Sequence, residues 1–369
     1  MAEQKALERL HERVLAEDLC AGCGACISVC PYLRHFDGRI VKLDPCDRSE
    51  GRCWDYCPRS EVDLDAIHRK LFGCGYEDVE LGRVRRVLMA RAVDPKVREK
   101  AQTGGVVSAL IGFALDKGVV NAAVLTRRDK NHATLGCAVR SREEVLSCAG
   151  SSYVSGPSLE ALNKGDFGQG EKIGLVGTPC QVLAFAKMRA SGLEKRTPID
   201  RVAMVIGLFC TWALSHSPFM KFLGERTDVS RIRKLDITPP PERLLKVVTD
   251  SETLDIPIDE IRSFIRTSCG VCADMTAELA DVSVGTVEGL KGWNTVIIRS
   301  EQGEDLLKST VSQGALETRP LPGENLAHLK QASLLKKKRA LAALEERGEL
   351  EDGYLKLSTE TIQRIRSKA

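Results

Sequence analysis

Cysteine is the residue type whose number and spacing most demand a chemical explanation. Seven of the fourteen fall between residues 20 and 57, at Cys20, Cys23, Cys26, Cys30, Cys46, Cys53 and Cys57. The run Cys20-x2-Cys23-x2-Cys26-x3-Cys30-Pro31 crowds four soft thiolates into one short loop. Iron–sulfur clusters require such ligands, and these spacings let three thiolates wrap one cubane. In two-cluster arrangements of this pattern, the cysteine before proline belongs to the other cluster. A second Cys-Pro pair occurs at Cys57-Pro58, so the spacing assigns Cys20, Cys23, Cys26 and Cys57 to a first [4Fe–4S] cluster. The competing reading is structural zinc, which usually takes two separated C-x2-C pairs and not a packed quartet.

The second half of the pattern is irregular. Cys46-x6-Cys53-x3-Cys57 lacks one cysteine of the usual triplet, leaving Cys30, Cys46 and Cys53 as three ligands. A second cluster is the favoured reading, with its type and fourth ligand open. A [3Fe–4S] cluster fits, as does a four-iron cluster completed by Cys74 or an aspartate such as Asp47; no cluster at all is the remaining option. Far downstream stand Cys180, Cys210 and the pair Cys269-x2-Cys272. Together they make the four thiolates that a further [4Fe–4S] cluster takes, so the count is two to three clusters. From spacing alone, a redox-active C-x2-C and buried structural cysteines compete. Cys180 opens a helix, where the helix dipole stabilises a thiolate. Cys137 and Cys148 read as inert buried thiols.

The elements that must position these groups come in two blocks and a tail. Residues 1–80 form a small ferredoxin-like iron–sulfur domain with a connector, in which Asp63–Gly73 has the spacing of a short amphipathic helix. Residues 81–320 alternate short apolar runs with amphipathic helices. Strands are expected at Val87–Arg91, Asn121–Thr126, Lys172–Val176, Val202–Leu208, Val282–Val284 and Thr295–Arg299. Helices are expected from Gln102-Thr103-Gly104-Gly105 through Leu115, and over Cys180–Ser191. That alternation predicts an α/β (α+β) domain with a mostly parallel or mixed sheet, whose ligands gather at strand ends. Residues 321–369 are a charged helical tail containing Leu334-Leu335-Lys336-Lys337-Lys338-Arg339. Gly104-Gly105 and Gly150-Ser151-Ser152-Tyr153 are small-residue turns that suit close approach of a phosphate or a flavin ring, although ordinary caps and turns look the same.

Bulk properties exclude several classes. With 43% hydrophobic and 28% charged residues, the 369-residue chain has ordinary globular composition. A net charge of +3 and 5% aromatic residues give no support to a nucleic-acid partner. The longest apolar run, Val202–Leu214, is too short to cross a bilayer, and the charged N-terminus lacks the apolar core of a secretory signal. A cytoplasmic location follows as the expectation, and with it reduced thiols rather than disulfides. The six histidines are scattered, and no residue stands out as catalytic.

The order Gln102-Thr-Gly-Gly105, Gly150-Ser-Ser-Tyr153, Thr178-Pro-Cys-Gln181, Gly207-Leu-Phe-Cys210, Cys269-Gly-Val-Cys272, Ala280-Asp-Val-Ser-Val-Gly285 and Gly292-Trp-Asn-Thr-Val-Ile-Ile-Arg299 resembles the beta subunits of coenzyme F420-reducing hydrogenases. Relatives in that family include formate dehydrogenase beta subunits, F420H2 dehydrogenase input subunits and chlorophyllide reductases. The resemblance covers about residues 84–320. It implies a flavoprotein domain that binds FAD beside a [4Fe–4S] cluster held by Cys180, Cys210, Cys269 and Cys272. It makes Gln102, Thr103, Gly104, Gly105, Gly150, Ser151, Ser152, Tyr153, Thr178, Gln181, Gly285, Thr286 and Trp293 candidates for the flavin pocket. It implies electron exchange between a hydride carrier such as F420 and a partner, either ferredoxin or a hydrogenase, formate dehydrogenase or heterodisulfide reductase-like subunit. A self-contained ferredoxin-dependent reductase and a flavin-free relay are the alternatives. Many relatives have lysine where this chain has Ser152, which leaves the hydride carrier open.

Overall fold

The computed structural model describes residues 4–238 and 242–368. Its strands in chain order are β1 (Leu33–Phe36), β2 (Arg39–Lys42), β3 (Val62–Asp63), β4 (Arg86–Ala92), β5 (Ala122–Arg128), β6 (Thr134–Val139), β7 (Ile173–Gly177) and β8 (Val202–Leu208). They continue with β9 (Ile232–Ile237), β10 (Leu244–Thr249), β11 (Thr253–Pro257), β12 (Val282–Thr286), β13 (Asn294–Ile298), β14 (Leu316–Arg319) and β15 (Leu355–Lys356). One eight-stranded sheet, in the order β14-β4-β13-β12-β8-β7-β5-β6, organises the molecule. Its centre, β12-β8-β7-β5, is parallel; both flanks are antiparallel. The mixed α/β sheet expected from the alternating pattern is therefore present, with its ends shifted by a residue or two.

The parallel centre is buried because its residues allow nothing else. β7 is buried throughout, and β8 exposes only Ala203 among its first six residues. Strands of that kind need cover on both faces. The helix Val106–Asp116 covers one face through Val106, Ala109, Leu110 and Phe113. The helix Pro179–Ala190 covers the other through Val182, Leu183 and Phe185. Each fully buried Leu or Phe side chain contributes about 1.5–3 kcal/mol.

The front end docks on that second face and shares its core. Leu7, Leu10 and Val14 of the N-terminal helix, Leu33 and Ile40 of the β1–β2 hairpin and Tyr56 belong to the same apolar cluster as Val182 and Phe185. The tail closes the arrangement. Its helix Gly323–Glu346 crosses the molecule, and β15 then pairs in parallel with β3, next to the cysteine-rich segment. A second sheet, β11-β10-β9, is antiparallel and packs one face on Phe219, Leu223 and Ile261.

Candidate redox centre

The front cysteines converge. Cys20, Cys23 and Cys26 lie on the loop after the N-terminal helix, and Cys57 comes from the turn after the short helix Arg52–Asp55. Burial, and then the neighbouring cysteines, push the thiols of Cys23 and Cys26 well up. The same two causes carry Cys57 up to about 11. Two sulfurs already receive backbone donors at 3.4 Å, Cys20 from the Gly22 N–H and Cys57 from the Arg59 N–H. Cys30 faces Cys53, and the contact lowers the Cys30 thiol while raising that of Cys53. Asp47 does not join them: its carboxylate is 95% exposed and pairs with Lys5 at 2.8 Å. Cys74 takes a 3.0 Å hydrogen bond from Arg83, whose other partners are the Phe72 and Arg299 carbonyls.

The downstream cysteines also converge, although they come from three segments. Cys180 sits at the start of the helix after β7, where Pro179 occupies the first turn and Gln181 Oε1 accepts the Thr178 N–H at 2.7 Å. Cys210 follows β8 and is fixed by its N–H donating to the Met275 carbonyl at 2.9 Å. Cys269 and Cys272 flank the end of the short helix Thr267–Gly270. The four thiols lie near enough to raise one another after burial, as the shifts of Cys180 and Cys210 show. Cys272 is the exception. Burial opposes its ionisation, but Lys336 and Arg59 outweigh burial and lower its pKa. Cys23 also lies beside Cys180, and Cys53 beside Cys26. The front and downstream cysteines are therefore neighbours in the fold. Among the described residues no three His, Cys, Asp or Glu side chains close around a single ion. A cubane spreads its thiolates over separate irons and so needs a wider set.

The glycine turns meet at the carboxyl ends of the parallel strands. Asn294 is the hub: its Nδ2 donates to Thr103 Oγ1 at 2.6 Å and to the Gly285 carbonyl at 3.0 Å, and its Oδ1 accepts the Val106 N–H at 3.3 Å. Gly105, at φ +75°, turns the chain into the helix. Gln102 reaches Tyr153 at 3.4 Å and also bonds Asp236, which joins the two turns. Ser152 bonds Thr134 at 2.5 Å. Beside them lies a polar cleft of about 220 Å³ lined by Arg127, Arg128, His132, Cys148, Gly150 and Ser152. Arg128 Nη1, His132 Nδ1 and Gln102 Oε1 are buried without partners. Two sequence candidates are occupied otherwise. Gln181 caps its own helix and donates to the Gly156 carbonyl at 2.8 Å. Trp293 lies between the guanidinium groups of Arg91 and Arg319, 4.6 and 4.7 Å from its ring centroid.

Comparison with known proteins gives this arrangement its context. Residues 87–163 match the N-terminal model of the coenzyme F420 hydrogenase/dehydrogenase beta subunit, and residues 170–324 match its C-terminal model. Residues 14–33 match a 4Fe–4S binding domain. The coenzyme F420 hydrogenase beta subunit of Methanothermobacter thermautotrophicus is 30% identical over 73% of this chain and 98% of its own. The chain belongs to this beta-subunit family. It is an oxidoreductase and an electron-transfer subunit with an iron–sulfur front end. The F420-dependent sulfite reductase of Methanocaldococcus jannaschii is also 30% identical, over 92% of this chain but only 52% of its own length. Among solved structures, a chain in the F420-reducing [NiFe] hydrogenase complex of Methanosarcina barkeri superposes with a TM-score of 0.69 at 27% identity, covering 73% of this chain and 94% of that one.

For a member of this beta-subunit family, several residues matter that motif spacing did not reveal. Arg59 lies between the front and downstream sulfurs, donates to the Ser268 carbonyl at 3.1 Å and stacks 5.0 Å from the Tyr354 ring centroid. Lys336 donates to the Cys210 carbonyl at 2.6 Å, and Lys337 forms a buried ion pair with Glu278. The sequence marks these lysines only as part of a charged helical tail. Only their place behind Leu334, two turns from Leu341, hints at an inward stripe. Arg299 is fully buried and donates to Ser283 Oγ, Thr276 Oγ1 and the Arg83 carbonyl at 2.8–2.9 Å. Among the described residues no helix is long and apolar enough to cross a membrane.

Proposed function

We propose that this chain is an iron–sulfur flavoprotein subunit. In this reading it passes electrons between a hydride carrier, coenzyme F420 or a similar molecule, and a partner redox enzyme or ferredoxin. The observation that carries the reading is that the front and downstream cysteines, far apart in sequence, fold against one another, with Cys53 near Cys26, Cys23 near Cys180 and Cys180 near Cys272. Cys20, Cys23, Cys26 and Cys57 would hold one [4Fe–4S] cluster, and Cys180, Cys210, Cys269 and Cys272 another. Cys30, Cys46 and Cys53 would hold a third, of three or four irons. The donor sets suit such groups: soft thiols, half-buried or buried, with backbone N–H groups or buried cations beside them.

The cleft suits a flavin nucleotide. Arg128 and His132 in its lining each keep a buried polar atom without a partner, and Arg127 adds positive charge. Buried polar atoms in that state call for a ligand or water. FAD, when bound there, supplies the exchange between hydride and single-electron chemistry. The chain's own residues do the positioning. Asn294 ties Gly285 to Thr103, so the end of β12 and the Gln102–Gly105 turn keep one spacing. Tyr153 accepts the Ile237 N–H at 2.9 Å and fixes the second turn against β9. Arg59 and Lys336 place positive charge at the inner thiolates and favour their ionised, iron-binding form.

The test is anaerobic purification with iron, sulfide and flavin measured per chain. The expected result is about eleven or twelve irons with one FAD, and about eight would remove the third cluster alone. Clusters without flavin, after FAD has been offered, would overturn the hydride chemistry and leave an electron relay.

A further inference from the structure

Two cysteines outside these groups meet beside the cleft. Cys137 lies on β6 opposite Leu125 of β5, and Cys148 ends the helix Arg142–Ser147 that follows. A capping box at Ser141 and Glu144 starts that helix and fixes its direction. The helix therefore returns along the strand, and the two Sγ atoms come within 3.5 Å of each other. Both side chains are partly exposed, and Cys148 lines the cleft together with Arg127, Gly150 and Ser152. The sequence suggested inert buried thiols; the structure gives a close pair with one member on a cavity wall.

The two sulfurs are not equivalent. Hydrogen bonding from Cys137 brings the Cys148 thiol down to about 7 against the opposing effect of burial, with help from Ser147 and Arg127. The same contact, and then burial, raise the Cys137 thiol. Cys148 is the member on the cleft wall and so the one an entering disulfide meets, and a neighbour at contact distance is placed to resolve the mixed disulfide. A disulfide needs the sulfurs to approach to about 2.05 Å. From 3.5 Å this is a small movement of a helix end.

We propose that Cys137 and Cys148 form a reversible dithiol–disulfide couple, with Cys148 attacking small-molecule disulfides that enter the cleft. The Cys148 thiolate attacks one sulfur of RS–SR, forming the mixed disulfide and expelling RS⁻. The Cys137 thiol loses its proton to solvent and attacks Cys148 Sγ, releasing the second RS⁻. In sum, two protein thiols are oxidised, RS–SR is reduced to two thiols, and the protons balance. Closure draws the Ser147–Ala149 turn toward β6 and with it the wall that carries Gly150 and Ser152. The effect on a bound nucleotide rests on the flavin reading above; the thiol chemistry does not.

The experiment uses the full chain, purified anaerobically and treated with oxidised glutathione, then alkylated and mapped by mass spectrometry while cluster absorbance is followed. In the wild type, Cys137 and Cys148 lose alkylation together, appear as one crosslinked peptide pair, and recover with dithiothreitol. Cys137→Ser accumulates glutathione on Cys148, and Cys148→Ser loses the reaction. Equal alkylation of both residues before and after treatment of the wild type would overturn the couple. Glutathione on Cys137 of Cys148→Ser at the wild-type rate would overturn the assignment of the attacking thiol. FAD binding is measured on the same reduced samples. A chain that crosslinks but takes no flavin keeps this proposal and removes the flavin reading, and the converse result does the opposite.

Discussion

Cys20, Cys23 and Cys26 leave one loop, with only Cys57 arriving from further along, whereas Cys180, Cys210, Cys269 and Cys272 arrive from two strand ends and a separate short helix. Local chain geometry therefore suffices for most of the front set, and the inner set exists only once β7, β8 and β12 have paired. Their surroundings differ in the same sense. The front sulfurs of Cys20 and Cys57 are served by backbone N–H groups two residues away. Arg59 acts on Cys57 as well as on Cys272, whereas Lys336 brings a charge from the tail to the inner set, at Cys210 and Cys272. A site built from remote parts is exposed to damage in each of them. Perturbing the tail or the sheet should remove the inner set and spare the front one.

The largest effect is expected at Lys337. Its ammonium pairs with Glu278 at 2% and 5% side-chain exposure, and Tyr76 donates to the same carboxylate at 2.8 Å. Lys337→Met leaves the buried Glu278 carboxylate without its ion-pair partner, with only the more remote Arg299 charge acting on it, and breaking such a pair by removing one partner costs about 3–5 kcal/mol. Urea unfolding should show that loss. Lys337→Met with Glu278→Gln should regain much of it, because the stranded charge is then gone. The comparison of the two sets gives a second readout: iron lost from the single variant should come from Cys180, Cys210, Cys269 and Cys272 first. Equal loss from both sets would mean that the front and the tail unfold as one unit and that the contrast between the sites is only geometric.

The same contrast decides what the sequence made legible. The Cys20–Cys57 set was visible because its spacing lies within a single stretch of chain. β8 was visible because an uninterrupted apolar run can be satisfied only inside a sheet. The inner set could be proposed from four cysteines at expected strand ends, but nothing local showed that the strands were neighbours. Lys336 and Lys337 were hidden because their inward direction depends on where the tail helix crosses. β9, β10 and β11 were overlooked although β10 alternates buried and half-buried residues at a period of two. In Leu244–Thr249 the polar positions are few, so the alternation is faint until the face packed on Phe219 is known. Asn294 and Arg299 belonged to the most specific stretch of the family resemblance. The structure gives their reason: Asn294 holds the Gly285 carbonyl and the Val106 N–H, and Arg299 holds the Leu81, Arg83 and Thr276 carbonyls.

A smaller effect, again directed at the inner set, is expected from Gly285→Ala. A Cβ at this position would stand 1.9 Å from the Phe209 ring, next in sequence to Cys210. Overpacking of this kind costs about 1–3 kcal/mol. The ring must move, and the Phe209 N–H bond to the Val284 carbonyl, 2.9 Å long, moves with it. The expected result is a shift of the unfolding midpoint with loss of about four irons, one cluster's worth, while the front set keeps its own. Full iron content with a normal midpoint would show that the β8–β12 ends tolerate displacement and that the inner set does not depend on their exact spacing.

The smallest effect is the mirror image and tests the front set. Asn163, on the helix Ser158–Lys164, donates through Nδ2 to the Ile27 carbonyl at 2.8 Å and the Ala25 carbonyl at 3.1 Å. These bonds hold the Cys23–Cys26 loop against the main body from outside. Asn163→Ala removes them at a cost of about 0.5–1.5 kcal/mol. Because Cys20, Cys23 and Cys26 share one loop, this cost should leave the set assembled and show itself as faster iron release to a chelator, with the inner set's release unchanged. Release accelerated equally from both sets would contradict local assembly at the front. It would place the stability of both sites in the core shared by Leu7, Tyr56, Val182 and Phe185.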